Sequence, residues 1–173
     1  IRDCAAELEH MNLPHTDILP LFARLGLGEQ QRIFHPAKGR RRIVLATNVA
    51  GTSLTIPGII YVIDSGLARI SRYLPGRQIQ RLQVEPISQA SARQRAGRCG
   101  RVTEGVCIRL YSETDFENRD AFTDPEIKRS ALAGVILRMA DLKLPPLGEF
   151  PLPDPPSPRL VNEGYKTLRE IGA

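Results

Sequence analysis

Apolar residues recur along the chain at two spacings, and the change from one to the other marks out its elements. Over residues 1–11 they fall at helical spacing, with Ala5, Leu8 and Met11 on one stripe, and predict an amphipathic helix. Residues 17–23 hold the run Ile-Leu-Pro-Leu-Phe, which is strand-like, and 29–34 reads as a short helix. Residues 42–47 (Arg-Ile-Val-Leu-Ala-Thr), 59–64 (Ile-Ile-Tyr-Val-Ile-Asp) and 105–111 (Gly-Val-Cys-Ile-Arg-Leu-Tyr) are compact apolar strands. Such strands alternating with helices predict an α/β fold, a parallel sheet with helices on both faces.

The pattern changes over residues 68–85. Two polar, arginine-rich arms flank Pro75-Gly76, a type II turn signal, and predict a protruding β-hairpin with little apolar surface to bury. Ser88 stands where the next helix needs an N-cap. After about residue 118 the composition shifts again. Thr123 and Glu126 fit a capping box with Pro125 in the first turn, and Ile127, Ala131, Val135 and Met139 then repeat every four residues beside Leu132 and Ile136. That pattern predicts one core-facing helix of a small, mostly helical second unit. Residues 144–158 hold seven prolines, a rigid connection, and 161–171 resumes a helical pattern. The expected organisation is a first domain over 1–118 and a second over 119–173. The opening Ile-Arg-Asp-Cys reads as mid-helix, so the chain is expected to begin inside a larger protein.

Charge narrows the function. From Arg69 to Arg101 there are eight arginines and a single acid, Glu85, and residues 38–42 (Lys-Gly-Arg-Arg-Arg) add four more cations. These two segments hold +11 of a chain whose total is +5, leaving the rest at −6. Cations concentrated in this way suit a localised polyanion site. Most of Lys38–Arg42 reads as a solvated loop before a strand. Cys4, Cys99 and Cys107 lack metal-ligand spacing, so no metal site is expected, and an unpaired odd number suits a reducing, cytoplasmic setting. Cys99 reads as filler. No apolar run is long enough to cross a bilayer, and no membrane partner is expected.

Residues 94–101, Gln-Arg-Ala-Gly-Arg-Cys-Gly-Arg, form the most distinctive octet. On a helix Gln94, Arg98 and Arg101 share one face. Gly97 and Gly100 leave room for a ligand, and the arginine fork suits phosphate oxygens. The alternative is a solvated Arg-Gly loop. A second segment, residues 46–58, follows the 42–47 strand at its C-terminal end, where open α/β sheets bind ligands. It carries Thr47, Asn48, Thr52, Ser53 and Thr55, short hydrogen-bonding side chains suited to phosphate. The alternative there is a polar turn capping the next element.

Together these segments resemble motifs V and VI of a superfamily 2 helicase. The resemblance narrows to the DEAH-box RNA helicases, of the bacterial HrpA type. Residues 46–58, 61–66, 85–101, 105–112 and 122–129 carry it, with Asp-Pro-Pro-Ser-Pro-Arg and Gly-Tyr-Lys-Thr-Leu near the end, so it covers essentially the whole chain.

The resemblance implies the second of two RecA-like domains that close on ATP, followed by the start of a winged-helix region. Arg98 and Arg101 would be arginine fingers, and Gln94 would position the attacking water and the γ-phosphate. Phe34 would stack on adenine, Thr55 would contact the nucleotide, and Ser53 would belong to a loop that rearranges with nucleotide state. Thr52, with Asn48 and Thr47 as weaker candidates, would contact the RNA backbone. Arg69, Arg72, Arg77 and Arg81 of the hairpin would grip phosphates or wedge strands apart. The cofactor implied is ATP with Mg2+, the metal held mainly by the first RecA-like domain of the same protein. That domain and RNA are the implied partners, with a ribosome or ribonucleoprotein as a further candidate. The Walker A loop and the Asp-Glu-Ala-His motif are absent from the sequence, so the chain by itself is expected to be inactive. Two departures stand out. Gly51 replaces the usual Glu, which loosens the coupling of ATP to RNA, and Pro57 replaces the ribose-bonding Asp of many eukaryotic members. The rival functions are an RNA-binding scaffold without ATP turnover and a helicase that prefers DNA.

Overall fold

The structure is a computed structural model that describes residues 1–22, 25–35, 37–48, 55–101 and 103–172. The chain divides into two compact units, one of residues 1–68 and 86–122, the other of 69–85 and the segment from Thr123 onward.

The first unit holds two parallel strand pairs. β1 (Thr16–Leu21) pairs with β2 (Arg41–Ala46) in the register Thr16 to Arg41 through Leu21 to Ala46. α2 (Leu27–Phe34) connects them, which makes a βαβ unit. β3 (Tyr61–Asp64) pairs with β6 (Val106–Arg109), Tyr61 opposite Val106 and Asp64 opposite Arg109. The core of this unit gathers Leu19, Leu21, Leu25 and Ile33, with Phe22, Val44 and Ile56 packed against it. Period-two alternation is visible on β3, whereas on β6 Ile108 and Arg109 are both exposed. Tyr61, Ile63, Val106 and Ile108 are exposed, while Asp64 is buried.

α1 (Arg2–His10) lies where the periodicity puts it, but Met11 falls just past its end and is 66% exposed, so the stripe stops at Leu8. α3 (Gln89–Ala96) starts on Ser88, whose Oγ accepts the Ser91 N–H at 3.2 Å. The predicted continuation of this helix through Arg101 is corrected. Gly97 closes it, and the backbone N–H groups of Arg98 and Cys99 bond back only three residues, to Arg95 and Ala96. Gly100 then takes φ +77°, a left-handed conformation that ends any helix. Gln94, Arg98 and Arg101 therefore do not share a helical face. Gln94 sits on the last turn, and the two arginines sit on the turns that follow. α4 (Glu113–Glu117), capped by Ser112, is the last helix of this unit among the described residues.

The second unit starts from the hairpin of β4 (Leu67–Leu74) and β5 (Ile79–Pro86). Its turn matches the sequence signal: Arg77 N–H bonds Leu74 C=O at 3.3 Å, with Gly76 at φ +85°. The hairpin does bury apolar surface. Tyr73 packs against a core of Leu132, Ile136, Leu147, Leu160 and Leu168. Burial, reinforced by Glu163 and Glu170, raises the Tyr73 hydroxyl above its usual pKa.

The single helix expected over 127–139 is two. α5 (Glu126–Arg129) ends at Ser130, which is extended, and α6 (Ala133–Asp141) begins afresh. The break resets the helical phase, so Leu132 and Ile136 are buried while Val135 is exposed. The Thr123–Glu126 capping box is also corrected: the N-cap of α5 is Pro125, which has no hydroxyl to offer. α7 (Pro158–Glu170) begins three residues earlier than expected, with Ser157 as cap and proline in the first turn. It buries Leu160, Gly164 and Leu168, one per turn, against the core.

Candidate nucleotide and nucleic-acid site

The two polar segments meet in the first unit. Arg101 Nη1 donates to Thr55 Oγ1 at 2.6 Å, and its Nε lies 3.4 Å from the Gly97 carbonyl. Both side chains are exposed, as is Gln94, and Arg98 is half-buried. The turn that carries the arginines is compact. Cys99 is buried with its Sγ 3.0 Å from the Ala96 carbonyl, and a Cβ on Gly105 would come within 2.4 Å of Gly100 N. Small residues at 99, 100 and 105 thus hold the backbone between Arg98 and Arg101 in one shape. Burial raises the pKa of the neighbouring Cys107 thiol, so it stays protonated at neutral pH.

Thr47 and Asn48 leave the C-terminal end of β2, exposed. Thr47 is anchored by its N–H to the Leu21 carbonyl at 3.1 Å. Asn48 is held by Arg95, a residue of the octet to which the sequence assigns no separate role. Arg95 Nη2 donates to Asn48 Oδ1 at 3.0 Å and to the Leu67 carbonyl at 2.9 Å. Its Nη1 donates to Asp64 Oδ1 at 2.6 Å.

Asp64 is the centre of this network. Its side chain is 0% exposed, and a buried carboxylate requires partners. Besides Arg95 it accepts the Gly66 N–H at 2.9 Å and the Tyr111 hydroxyl at 3.0 Å. Burial, and then the Asp64 charge, raise the Tyr111 pKa, which keeps that hydroxyl a donor. Arg119 stacks over the Tyr111 ring at 3.9 Å and donates to the Gly66 carbonyl at 2.9 Å. Gly66, at φ +71°, permits this packing, since a Cβ there would stand 2.5 Å from the Tyr111 ring. Asp64, Arg95, Tyr111 and Arg119 were not singled out from the sequence. The one available signal was a carboxylate closing the apolar run Ile-Ile-Tyr-Val-Ile, a place that demands a cation.

Phe34 is half-buried at the end of α2 and lies outside the core cluster that holds Ile33. Arg42 ties that end of α2 to the segment after Thr55, donating from Nη1 to the Ile33 carbonyl and from Nη2 to the Pro57 carbonyl. Burial lowers the Arg42 pKa from its usual value. Arg42 of the basic run 38–42 is therefore a structural cation, and Arg40, although exposed, pairs with Asp17 at 2.8 Å. Thr52, Ser53 and Gly51 lie outside the described residues.

In the second unit Arg69, Arg77 and Arg81 are exposed along the hairpin. Arg72 is engaged across it, with Nε 2.7 and 2.9 Å from the two Glu85 oxygens. That contact, more than any other, holds the Glu85 carboxyl below its usual pKa. Among the described residues no three His, Cys, Asp or Glu stand together as a metal site, and no helix is long and apolar enough to cross a membrane. The clefts that flank α1 contain none of the predicted site residues.

Known proteins resemble this chain in sequence and fold. The model of the helicase conserved C-terminal domain matches residues 2–103. The chain is 62% identical over its full length to the ATP-dependent RNA helicase HrpA homolog of Haemophilus influenzae, and 60% identical to the ATP-dependent RNA helicase HrpA of Escherichia coli. It spans 13% of the length of each of these curated relatives. Among solved structures, the DEAH/RHA helicase HrpB of Escherichia coli superposes over 99% of the chain and 22% of its own, with a TM-score of 0.93 and 32% identity. The fold is thus the α/β, RecA-like one of such helicases, and the chain belongs to the helicase conserved C-terminal domain family.

Proposed function

We propose that the chain is the second RecA-like domain (1–118) and the start of the winged-helix region (119–173) of an ATP-dependent RNA helicase. In this reading Arg98 and Arg101 reach the γ-phosphate when the first RecA-like domain closes, and neutralise charge that develops in the transition state. Gln94, one turn earlier, orients the attacking water. Thr55 and Ser53 face the nucleotide, and Phe34 packs on its base. Mg2+ belongs to the first domain. Thr47, Asn48 and Thr52 hold the RNA backbone, with Arg69, Arg77 and Arg81 of the hairpin adding phosphate contacts. Backbone contacts of this kind read no sequence, which suits an enzyme that steps along a strand. The work is done in the cytoplasm.

The observation that carries the reading is the bond between Arg101 and Thr55, which joins the two segments expected to face the nucleotide. Arg101 is exposed, and among the described residues its side chain bonds a hydroxyl and a carbonyl rather than a carboxylate, so a phosphate can take the place of the hydroxyl. A neutral partner releases a guanidinium far more cheaply than an anionic one.

The test is ATP hydrolysis by the full-length polypeptide without nucleic acid, with RNA and with DNA. Stimulation by RNA above that by DNA is expected. Equal or greater stimulation by DNA would replace RNA as the substrate, and no hydrolysis at all would favour a binding scaffold. The chain by itself is expected to turn over little ATP, because its sequence holds no Gly-x-x-x-x-Gly-Lys loop.

A further inference from the structure

We propose that Arg95 is a positioning residue that locks the Asn48 amide with its NH2 group outward, as a donor pair for a backbone oxygen of the nucleic acid. The inference rests on the RNA reading above and assigns a role to an arginine that is not a finger.

Donor and acceptor chemistry fixes the orientation of the amide. Arg95 has only donors to offer, so the Asn48 atom 3.0 Å from its Nη2 must be the amide oxygen. The amide nitrogen then faces the other way, on an exposed side chain at the C-terminal end of β2. Two N–H groups on an exposed side chain suit an acceptor-only ligand, and phosphate and ribose oxygens are acceptors.

Arg95 is itself fixed. One guanidinium bonds the buried Asp64 carboxylate at 2.6 Å, the Leu67 carbonyl at 2.9 Å and Asn48. Asp64 is in turn held by Gly66 N–H and by Tyr111. A planar fork can meet three acceptors at once, whereas a lysine ammonium on a flexible stem cannot do so with the same geometry. Arg95 also follows Gln94 directly on α3. The residue that orients the Asn48 amide and the one expected at the γ-phosphate are therefore neighbours on one helix turn.

The decisive variant is Asn48→Asp in the full-length polypeptide. Aspartate keeps an oxygen for Arg95 but replaces the outward donors with an anionic oxygen. Binding of a fluorescein-labelled oligouridylate, followed by anisotropy, is expected to weaken about tenfold or more, the scale of one lost bond to a charged group. The melting temperature should stay level or rise. Unchanged affinity would overturn the proposal, and so would a lower melting temperature, which would mean that Arg95 does not meet an oxygen there. Arg95→Lys is the second variant. It should raise the RNA concentration needed for half-maximal ATPase stimulation while leaving kcat at saturating RNA within about threefold. A fall in kcat with an unchanged RNA requirement would overturn the positioning role. If the parent polypeptide binds no oligouridylate at all, the RNA reading itself fails. Binding by the parent that Asn48→Asp leaves intact removes only this inference.

Discussion

Arg101 and Thr55, separated by 46 positions in sequence, meet through a 2.6 Å hydrogen bond between guanidinium and hydroxyl. The contact fastens the turn after α3 to the segment after β2. It also sets what loss of either side chain should do. Arg101→Ala and Arg98→Ala are each expected to lower ATP turnover by the full-length polypeptide about a thousandfold, while RNA affinity changes little. Thr55→Val, which removes only the acceptor, should cost far less. Near-normal turnover in both arginine variants would sink the finger assignment.

Gly105 tests whether the shape of that turn matters. A methyl group there would meet Gly100 N at 2.4 Å and Cys99 Cβ at 2.7 Å. Neither atom can yield without moving the backbone between the two arginines. Gly105→Ala should therefore depress turnover about a hundredfold, the scale of an ångström-sized misplacement. Steady-state kinetics of that variant with full activity would show that the turn tolerates displacement.

Gly164 plays a packing role in the second unit. Its Cβ would come 2.7 Å from Ile136 Cδ1 and 3.3 Å from Ala133 N, so α7 approaches α6 closely only because the side chain is missing. Gly164→Ala is expected to destabilise this unit by about 1–3 kcal/mol through overpacking. A melting temperature equal to or above that of the parent would contradict the close approach.

The hairpin supplies a pH dependence. Bonding to Arg72 holds the Glu85 carboxyl below the usual 4.5. A depressed folded pKa gives stability that is fully present above the unfolded value and is lost as pH falls through the folded one. Glu85→Gln should thus melt lower than the parent at neutral pH, and the gap should close as pH drops below about 4.5. A gap of constant size from neutral to acid pH would rule this coupling out.

Much of the molecule is legible without coordinates. The apolar runs place β1, β2, β3 and β6 within two residues, since short runs rich in Val, Ile and Leu favour extended backbone. Pro75-Gly76 and Ser88 specify a turn and a cap through local chemistry alone. Helix ends were less legible. Periodicity runs on past Gly97 and across Ser130, and only backbone geometry shows the chain leaving the helix at both places. Leu132 and Ile136 lie in the core as expected, but Val135 does not, for that reason.

The sequence by itself determined the candidate chemistry: the residue types of the octet and of the Thr47–Thr55 segment are ones suited to phosphate oxygens. The tertiary structure decided how those residues are held. Asp64, Arg95, Tyr111 and Arg119 come from four separate stretches, and nothing in their local patterns announces a shared partner. Burial makes the difference, because a carboxylate removed from water must recruit donors from whatever the fold brings near it.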